Sequence, residues 1–541
     1  MRTVRTAITA LLIFATQIAV AQSSLSALLP MPAEVKTHNS KKAFNLNKPC
    51  RVESNLSDGS FLLNELQRIV AEHTGKKLDS NKRGALIEVI SENSSSNPEA
   101  YTIDITDKKI AIKGNSQAGV FYALQTLNQI LLGDKFNSSR GYIAPISIKD
   151  APRYGHRSVM LDPARHFIPV KDVKFFIDQI SRYKYNKLQL HLTDDQGWRV
   201  EIKSHPRLTE IGAIRNQSGS MQGPDNGYYT QEELKDIIEY AALRNVEIIP
   251  EIDIPGHSVA ILTAYPELGC EFRREEEKQL GYTTNMMLCA NEEKVYDVYE
   301  DIIREIAQIF PSPQIHLGGD EAAVSSNWAK CEHCLSLAEK NGYSEPSQLM
   351  NIFFARILDI VKRNNKEAIL WCELDNIWPP ANDYLFPYPT DVTLVTWRNA
   401  LTPKCIELTH KYGHKLIMAP GEHTYLDYPQ WWNDLPEYNN WGMPITSLEQ
   451  SYRLDPSYGL PHEEQSHIQG VMATMWAEAI KDVNRVNYMF FPRGLAIAEA
   501  GWSNMEQRSW ESFKERIIPN LQSLMLSGVS FRVPFEIYPR K

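Results

Sequence analysis

From residue 151 onward the sequence switches period repeatedly. A short β-type apolar run is followed by a longer stretch with apolar residues three and four apart, and the cycle repeats. The β-type runs are RSVMLD (157–162), NKLQLHL (186–192), VEIIPEID (246–253), QIHLGG (314–319), EAILWCE (367–373), DVTLVTW (391–397), HKLIMAP (414–420) and QGVMATMWAE (469–478). Helical patterns such as VKDVKFFIDQISRYK (170–184), TQEELKDIIEYAALRN (230–245) and EKVYDVYEDIIREIAQIF (293–310) sit between most of them. Strands separated by helices pair in parallel, since parallel neighbours need a crossover connection. Eight such units over residues 151–541 fit a (β/α)8 TIM barrel, an α/β fold. An open, doubly wound sheet is the competing architecture. No GxGxxG or GxxxxGK[ST] follows a strand, so nothing points to a nucleotide cofactor.

Residues 22–150 read differently, as a small α+β domain. ALIEVIS (85–91), AYTIDIT (100–106) and KIAIKG (109–114) have strand patterning, and SQAGVFYALQTLNQILL (116–132) has helical periodicity. Residues 1–21 have the layout of a signal peptide. Arg2 and Arg5 precede the apolar run ALLIFATQIAV, and Ala19-Val20-Ala21 supplies small residues before Gln22. The apolar run is shorter than the roughly 20 residues a membrane span needs. The expectation is an exported chain, periplasmic or secreted, with no membrane span. The formal charge of −9 and the lack of any Lys/Arg-rich run argue against nucleic acid as a partner. Oligomeric state leaves no mark in the sequence.

Seven cysteines fall at 50, 270, 289, 331, 334, 372 and 405. Cys331 and Cys334 have the spacing of half a zinc site, but no second CxxC pair exists. A local disulfide or plain packing is therefore expected there, and no metal or cofactor.

In a parallel barrel, chemistry sits at the C-terminal ends of the strands. Seven of the eight ends carry acids, histidines or aromatics: HLTDDQGW, EIDIPGH, HLGGDE, WCELD, TWRN, PGEHTYLDY (following the seventh run) and MWAE. Acids and tryptophans in one cup suit a sugar. Aromatic faces stack on pyranose C–H faces, and carboxylates bind hydroxyls. Neighbours such as Asp320 and Glu321 do not straddle a glycosidic bond as two opposed carboxylates do. They fit a division of labour in which Glu321 is the acid/base and Asp320 holds a 2-acetamido group that acts as nucleophile.

HLGGDEA (316–322) resembles the signature of family 20 glycoside hydrolases, the β-N-acetylhexosaminidases. RSVMLDPARHF (157–167), HLTDDQGWR (191–199), EIDIPGHS (251–258), TYLDY (424–428) and MWAE (475–478) resemble that family too. The similarity covers nearly the whole chain after residue 22. It implies an exo-acting, retaining enzyme that takes terminal GlcNAc or GalNAc from a glycan, through an oxazolinium ion. It implies that Glu321 protonates the leaving oxygen, Asp320 orients the acetamido N–H, and Tyr425 bonds the acetamido oxygen. By the same resemblance, Asp194 and His257 would form a relay to Glu321, Trp371, Trp397 and Trp476 would wall the pocket, and Arg157, Asp427 and Glu478 would bind sugar hydroxyls. Arg157 sits awkwardly in that scheme, at the start of the first strand. A pocket enlarged for disaccharides or sulfated sugars, a noncatalytic glycan-binding protein and a metal-dependent barrel hydrolase are the other readings. Asp162 and Arg165 fit a structural ion pair as well as a substrate contact. His191 and His316, within apolar strands, read as buried structural residues, and Trp198 and Trp328 as either wall or core.

Overall fold

The structure, a computed structural model, describes residues 25–538 apart from 39, 41, 79–83, 95, 136–140, 216–223, 277–284, 374–388, 398–400 and 433–442. Residues 1–21, expected from the sequence to be a signal peptide, lie outside the described residues. Eight strands form a closed parallel barrel: β1 (His156–Leu161), β2 (Lys187–His191), β3 (Glu247–Glu251), β4 (Gln314–His316), β5 (Glu367–Trp371), β6 (Thr393–Val395), β7 (Leu416–Met418) and β8 (Ile468–Met475). β8 closes on β1 in a continuous register from Gly470 opposite His156 to Met475 opposite Leu161.

Each strand is shorter than, or equal to, its apolar run except β1 and β8, which each begin one residue earlier. The missing residues are mostly those at the C-terminal ends, which leave the ladder to carry side chains to the barrel mouth.

The helices form where their caps and apolar stripes direct. The helix α1 (Val170–Arg182) follows β1, and α2 (Gln231–Ala242) starts at a capping box between Thr230 and Glu233. Along α3 (Glu293–Ile309), Val295, Tyr296, Val298, Tyr299, Ile302, Ile303, Ile306 and Ile309 are buried on one face. Met160, Ile249, Ile369, Trp371, Val395, Ile417 and Met472 fill the barrel's interior.

The N-terminal region builds a six-stranded sheet in the order Glu34–Thr37, Ile146–Asp150, Tyr101–Ile105, Lys109–Gly114, Ala85–Ser91, Cys50–Ser54. Helices Phe61–Thr74 and Gln117–Lys135 accompany it. Buried charge ties this sheet to the N-terminal end of the barrel. Lys184, just before β2, reaches Asp150 at 3.1 Å with both side chains fully buried. Trp502 Nε1 donates to Asp150 at 3.0 Å, and the Lys184 ammonium lies 4.4 Å from the Trp502 ring centroid. Arg157, near the start of β1, holds Glu99 through two hydrogen bonds of 2.8 and 3.0 Å. Buried ion pairs broken from one side leave an uncompensated charge, so this interface resists separation. Among the described residues no helix is long and apolar enough to cross a membrane.

Candidate active site

The chain turns sharply after β4. Gly318 (φ +64°) and Gly319 (φ +97°) both take left-handed backbone conformations, and Glu321 follows at φ +49°. Gly318 is required by space as well as by φ. A Cβ there would lie 1.7 Å from Asp253 Oδ1. The same Asp253 oxygen accepts from Gly319 N–H at 3.1 Å, which locks the turn against the end of β3. The turn leaves Asp320 buried and Glu321 exposed, with 59% of its side chain open to solvent.

His257, from the loop after β3, joins the two acids. Its Nε2 is 3.6 Å from Asp320 Oδ2 and 3.7 Å from Glu321 Oε2. Its Nδ1 is 3.2 Å from Asp194 Oδ1, from the segment after β2. Asp194 in turn lies 2.8 Å from His191 Nε2 and 2.8 Å from Arg165 Nη2. The network continues inward: His191 Nδ1 is 2.9 Å from Glu251, which also meets His316 at 3.1 Å and accepts from Trp371 Nε1 at 3.0 Å. Burial disfavours charge on His257, yet the carboxylates of Asp194, Asp253 and Asp320 outweigh it and hold the imidazole proton well above its ordinary range. Burial likewise pushes against the Asp194 charge, but Arg165 and His257 keep it well below the usual carboxylate range. Burial, reinforced by the neighbouring Asp320, pushes Asp253 well above it. The neighbouring Asp195 is pushed up to about 6, by burial first and then by Asp194. Side chains of opposite preference thus stand in one chain of contacts, a pattern that marks proton-handling sites.

The facing wall comes from β1, β7 and β8. Arg165 is held by Asp162 at 3.1 Å, donates from Nε to Gln196 Oε1 at 3.0 Å, and lies over the Trp476 ring at 5.0 Å. Glu478 Oε1 is 3.9 Å from its guanidinium. Asp427 is buried, and among the described residues its Oδ1 has no hydrogen-bond partner. Burial, and then the charge of Glu478, raise the Asp427 carboxyl well above its usual range. Tyr425 is buried beside Tyr428 and Trp476, with ring centroids 5.2 and 6.4 Å away. Burial drives its phenol well above the ordinary range, so it stays a hydrogen-bond donor. Trp397 and Trp476 are half-buried and bridge two clusters, the barrel interior with Trp371 and the rim group of Tyr425, Tyr428 and Met443. Trp371 itself is the floor, 5.6 Å from Trp476 and almost wholly covered.

Ten of the eleven residues singled out in the sequence therefore converge on the C-terminal mouth. Arg157 does not, and its assignment to the substrate is corrected. It lies near the N-terminal end of β1, wholly buried, where it also donates to the backbone oxygens of Tyr154 (2.6 Å) and Lys184 (2.9 Å). Arg165, weighed equally as a structural ion pair, does lie at the mouth, and it contacts both Asp162 and Glu478. Asp253 was missed, although the glycines it packs against were the clue. His191 and His316 are buried as expected, yet they belong to the proton network. Trp198 and Trp328 are core, each donating its indole N–H to a backbone oxygen, of Val200 and Leu288 respectively. A histidine–carboxylate set invisible in the sequence, Asp253, His257 and Asp320, comes within 4.8 Å. The proton network already accounts for that approach.

A closed parallel barrel with paired acids, an imidazole relay and an aromatic cup at its C-terminal mouth is the architecture of a barrel glycoside hydrolase. The sequence profile of glycosyl hydrolase family 20, catalytic domain, matches residues 154–505, and that of glycosyl hydrolase family 20, domain 2, matches residues 25–151. A beta-hexosaminidase of Akkermansia muciniphila is 37% identical over 430 residues, 79% of this chain and 84% of that protein. The Streptomyces plicatus N-acetyl-beta-hexosaminidase in complex with Thio-NAglucal superposes with a TM-score of 0.79 at 30% identity, covering 96% of this chain and 98% of that one. The Vibrio harveyi GH20 exo beta-N-acetylglucosaminidase in complex with N-acetylglucosamine gives a TM-score of 0.79 at 29% identity, covering 94% and 79%. The chain belongs to glycosyl hydrolase family 20 and is a glycoside hydrolase.

Proposed function

We propose that the chain is an exo-acting β-N-acetylhexosaminidase that releases terminal, non-reducing β-linked GlcNAc or GalNAc, the substrate's own acetamido group acting as nucleophile. The observation that carries this reading is the shared approach of Asp320 and Glu321 to one nitrogen, His257 Nε2, at 3.6 and 3.7 Å. Two carboxylates on one side of a sugar do not provide an acid and an opposed nucleophile about 5–5.5 Å apart. The nucleophile then has to come from the substrate.

In this scheme Glu321 gives its proton to the glycosidic oxygen as the bond to C1 breaks. Asp320 accepts the acetamido N–H and supports the positive charge that builds as the carbonyl oxygen attacks C1. The Tyr425 hydroxyl donates to that oxygen and aligns it. Glu321, now a carboxylate, takes a proton from the water that opens the oxazolinium ion, so C1 is inverted twice and the configuration is retained. His257, kept charged by Asp194, stabilises both carboxylates in turn. Arg165, Asp427 and Glu478 bind hydroxyls, and Trp371, Trp397 and Trp476 pack against the ring.

Initial rates on aryl N-acetyl-β-glucosaminide and plain aryl β-glucoside test the reading. The expected gap is on the order of 10³-fold, about 4 kcal/mol of nucleophilic assistance. Comparable rates would sink it. We also propose that residues 1–21 direct export and are removed. N-terminal sequencing of the chain from the cell envelope or medium should then begin at Gln22, and a chain retained with Met1 in the cytoplasm would refute this.

A further inference from the structure

Four of the seven cysteines come from two separate excursions of the barrel mouth and meet in one place. Cys270 and Cys289 lie in the connection between β3 and α3. Cys331 and Cys334 lie in the connection after β4, with Cys331 capping a helix at Glu332–Lys340 and Cys334 in its first turn. All four sulfurs lie within 4.8 Å of one another, and Cys289 Sγ is 3.5 Å from Cys334 Sγ. Each of the four side chains is at most 2% exposed.

We propose that Cys270, Cys289, Cys331 and Cys334 form a tetrathiolate site for a structural zinc ion. A tetrahedral Zn–S₄ centre with bonds of ~2.3 Å has its sulfurs ~3.8 Å apart along every edge, which matches a set of four mutual near neighbours. Two disulfides would instead divide the four into two bonded pairs at ~2.05 Å. Binding releases the thiol protons as the four Zn–S bonds form, with no change of oxidation state and no oxidant needed. The sequence expectation of a local disulfide or plain packing looked for a second CxxC. The second pair is separated by a long excursion and is recognisable only once the chain is folded.

The place of the site gives it a purpose. The connection after β3 carries His257, and the one after β4 carries Asp320 and Glu321. The metal joins the two ten residues beyond Glu321. It thereby fixes the relay histidine and the acid pair relative to each other without touching the sugar. Trp328 Nε1 donating to Leu288 O at 2.8 Å and Asn291 Nδ2 donating to His333 O at 2.7 Å clamp the same two connections beside it.

Metal analysis of the purified full chain, prepared without chelator or affinity histidines, tests this independently of any glycosidase assay. The expected result is one zinc per chain, released only when a mercurial blocks the thiols. Cobalt grown into the chain in place of zinc should give the strong sulfur-to-metal charge-transfer and tetrahedral d–d bands of a thiolate site. Cys331→Ser/Cys334→Ser should abolish the bound metal. A metal-free chain overturns the proposal, whether intact mass shows four free thiols or the loss of four hydrogens to two disulfides. Zinc retained by the double variant overturns it as well. If that variant does not fold, the wild-type metal content and the cobalt spectrum decide alone.

Discussion

Replacing Arg157 by Met separates two accounts of this residue: a hydroxyl-binding group at the sugar, or a strut between the N-terminal sheet and the barrel. Its guanidinium makes two hydrogen bonds to Glu99, two to backbone oxygens, and stacks 4.9 Å over the Trp502 ring. Removing one member of a buried pair costs about 3–5 kcal/mol, because the other charge stays buried. Glu99 keeps donors from Asn186 and the Tyr122 hydroxyl, each at 3.1 Å, and Met fills part of the volume. The expected loss is therefore at the low end, about 3 kcal/mol. Denaturant unfolding read by tryptophan fluorescence measures it. Arg157→Met/Glu99→Gln should lose clearly less than the sum of the two single variants, since the uncompensated carboxylate is gone. Burial opposes the Glu99 charge but Arg157 overcomes it, so its carboxyl sits below the usual range in the folded chain. The sign follows: this contribution is present above the unfolded carboxylate value and is lost as pH falls through the lower folded one. Meanwhile kcat/KM at 25 °C should stay within about twofold of wild type, as expected of a site distant from the substrate. A variant of unchanged stability with a sharply raised KM would refute the strut and return Arg157 to the sugar.

Other expectations concern the mouth. Glu321→Gln should lower kcat/KM by on the order of 10³-fold, with the deficit smaller on substrates whose leaving group needs no proton. A loss independent of the leaving group would contradict its role as the acid. Asp194→Asn removes the strongest of the charges that counter burial at His257, so the imidazole loses its proton at lower pH. The alkaline limb of kcat/KM should move to lower pH, and an unmoved limb would remove His257 from the relay. Arg165→Met should cost roughly 3 kcal/mol in kcat/KM, about 100-fold, by taking from buried Asp194 and Asp162 the one guanidinium that both contact; activity near wild type would make Arg165 a bystander.

The barrel was legible in the sequence because helix and strand periods alternate through eight units, and each apolar run fell on its strand. The mouth was legible because acids and aromatics recur where strands end. The two arginines were harder. RSVMLDPARHF holds both, eight positions apart, and only the direction of β1 sends Arg157 down to Glu99 and Arg165 up to Asp194. The strand-end argument pointed the right way, and the motif resemblance did not. Asp253 was hidden because its partner is a missing side chain, the Gly318 Cβ that its carboxylate excludes. The cysteine cluster was hidden because half of its ligands lie on another loop.

The central claim is that the substrate's acetamido oxygen is the nucleophile. The most direct measurement is kcat/KM for aryl β-glucosaminides bearing acetyl, fluoroacetyl, difluoroacetyl and trifluoroacetyl groups on nitrogen, with the leaving group held constant. Fluorine withdraws electrons from the attacking carbonyl, so the account predicts a steep, stepwise fall through the series, roughly tenfold or more in all, or at least about 1.4 kcal/mol of barrel-mouth chemistry that depends on that oxygen. A flat series would contradict it and require a carboxylate nucleophile from the protein.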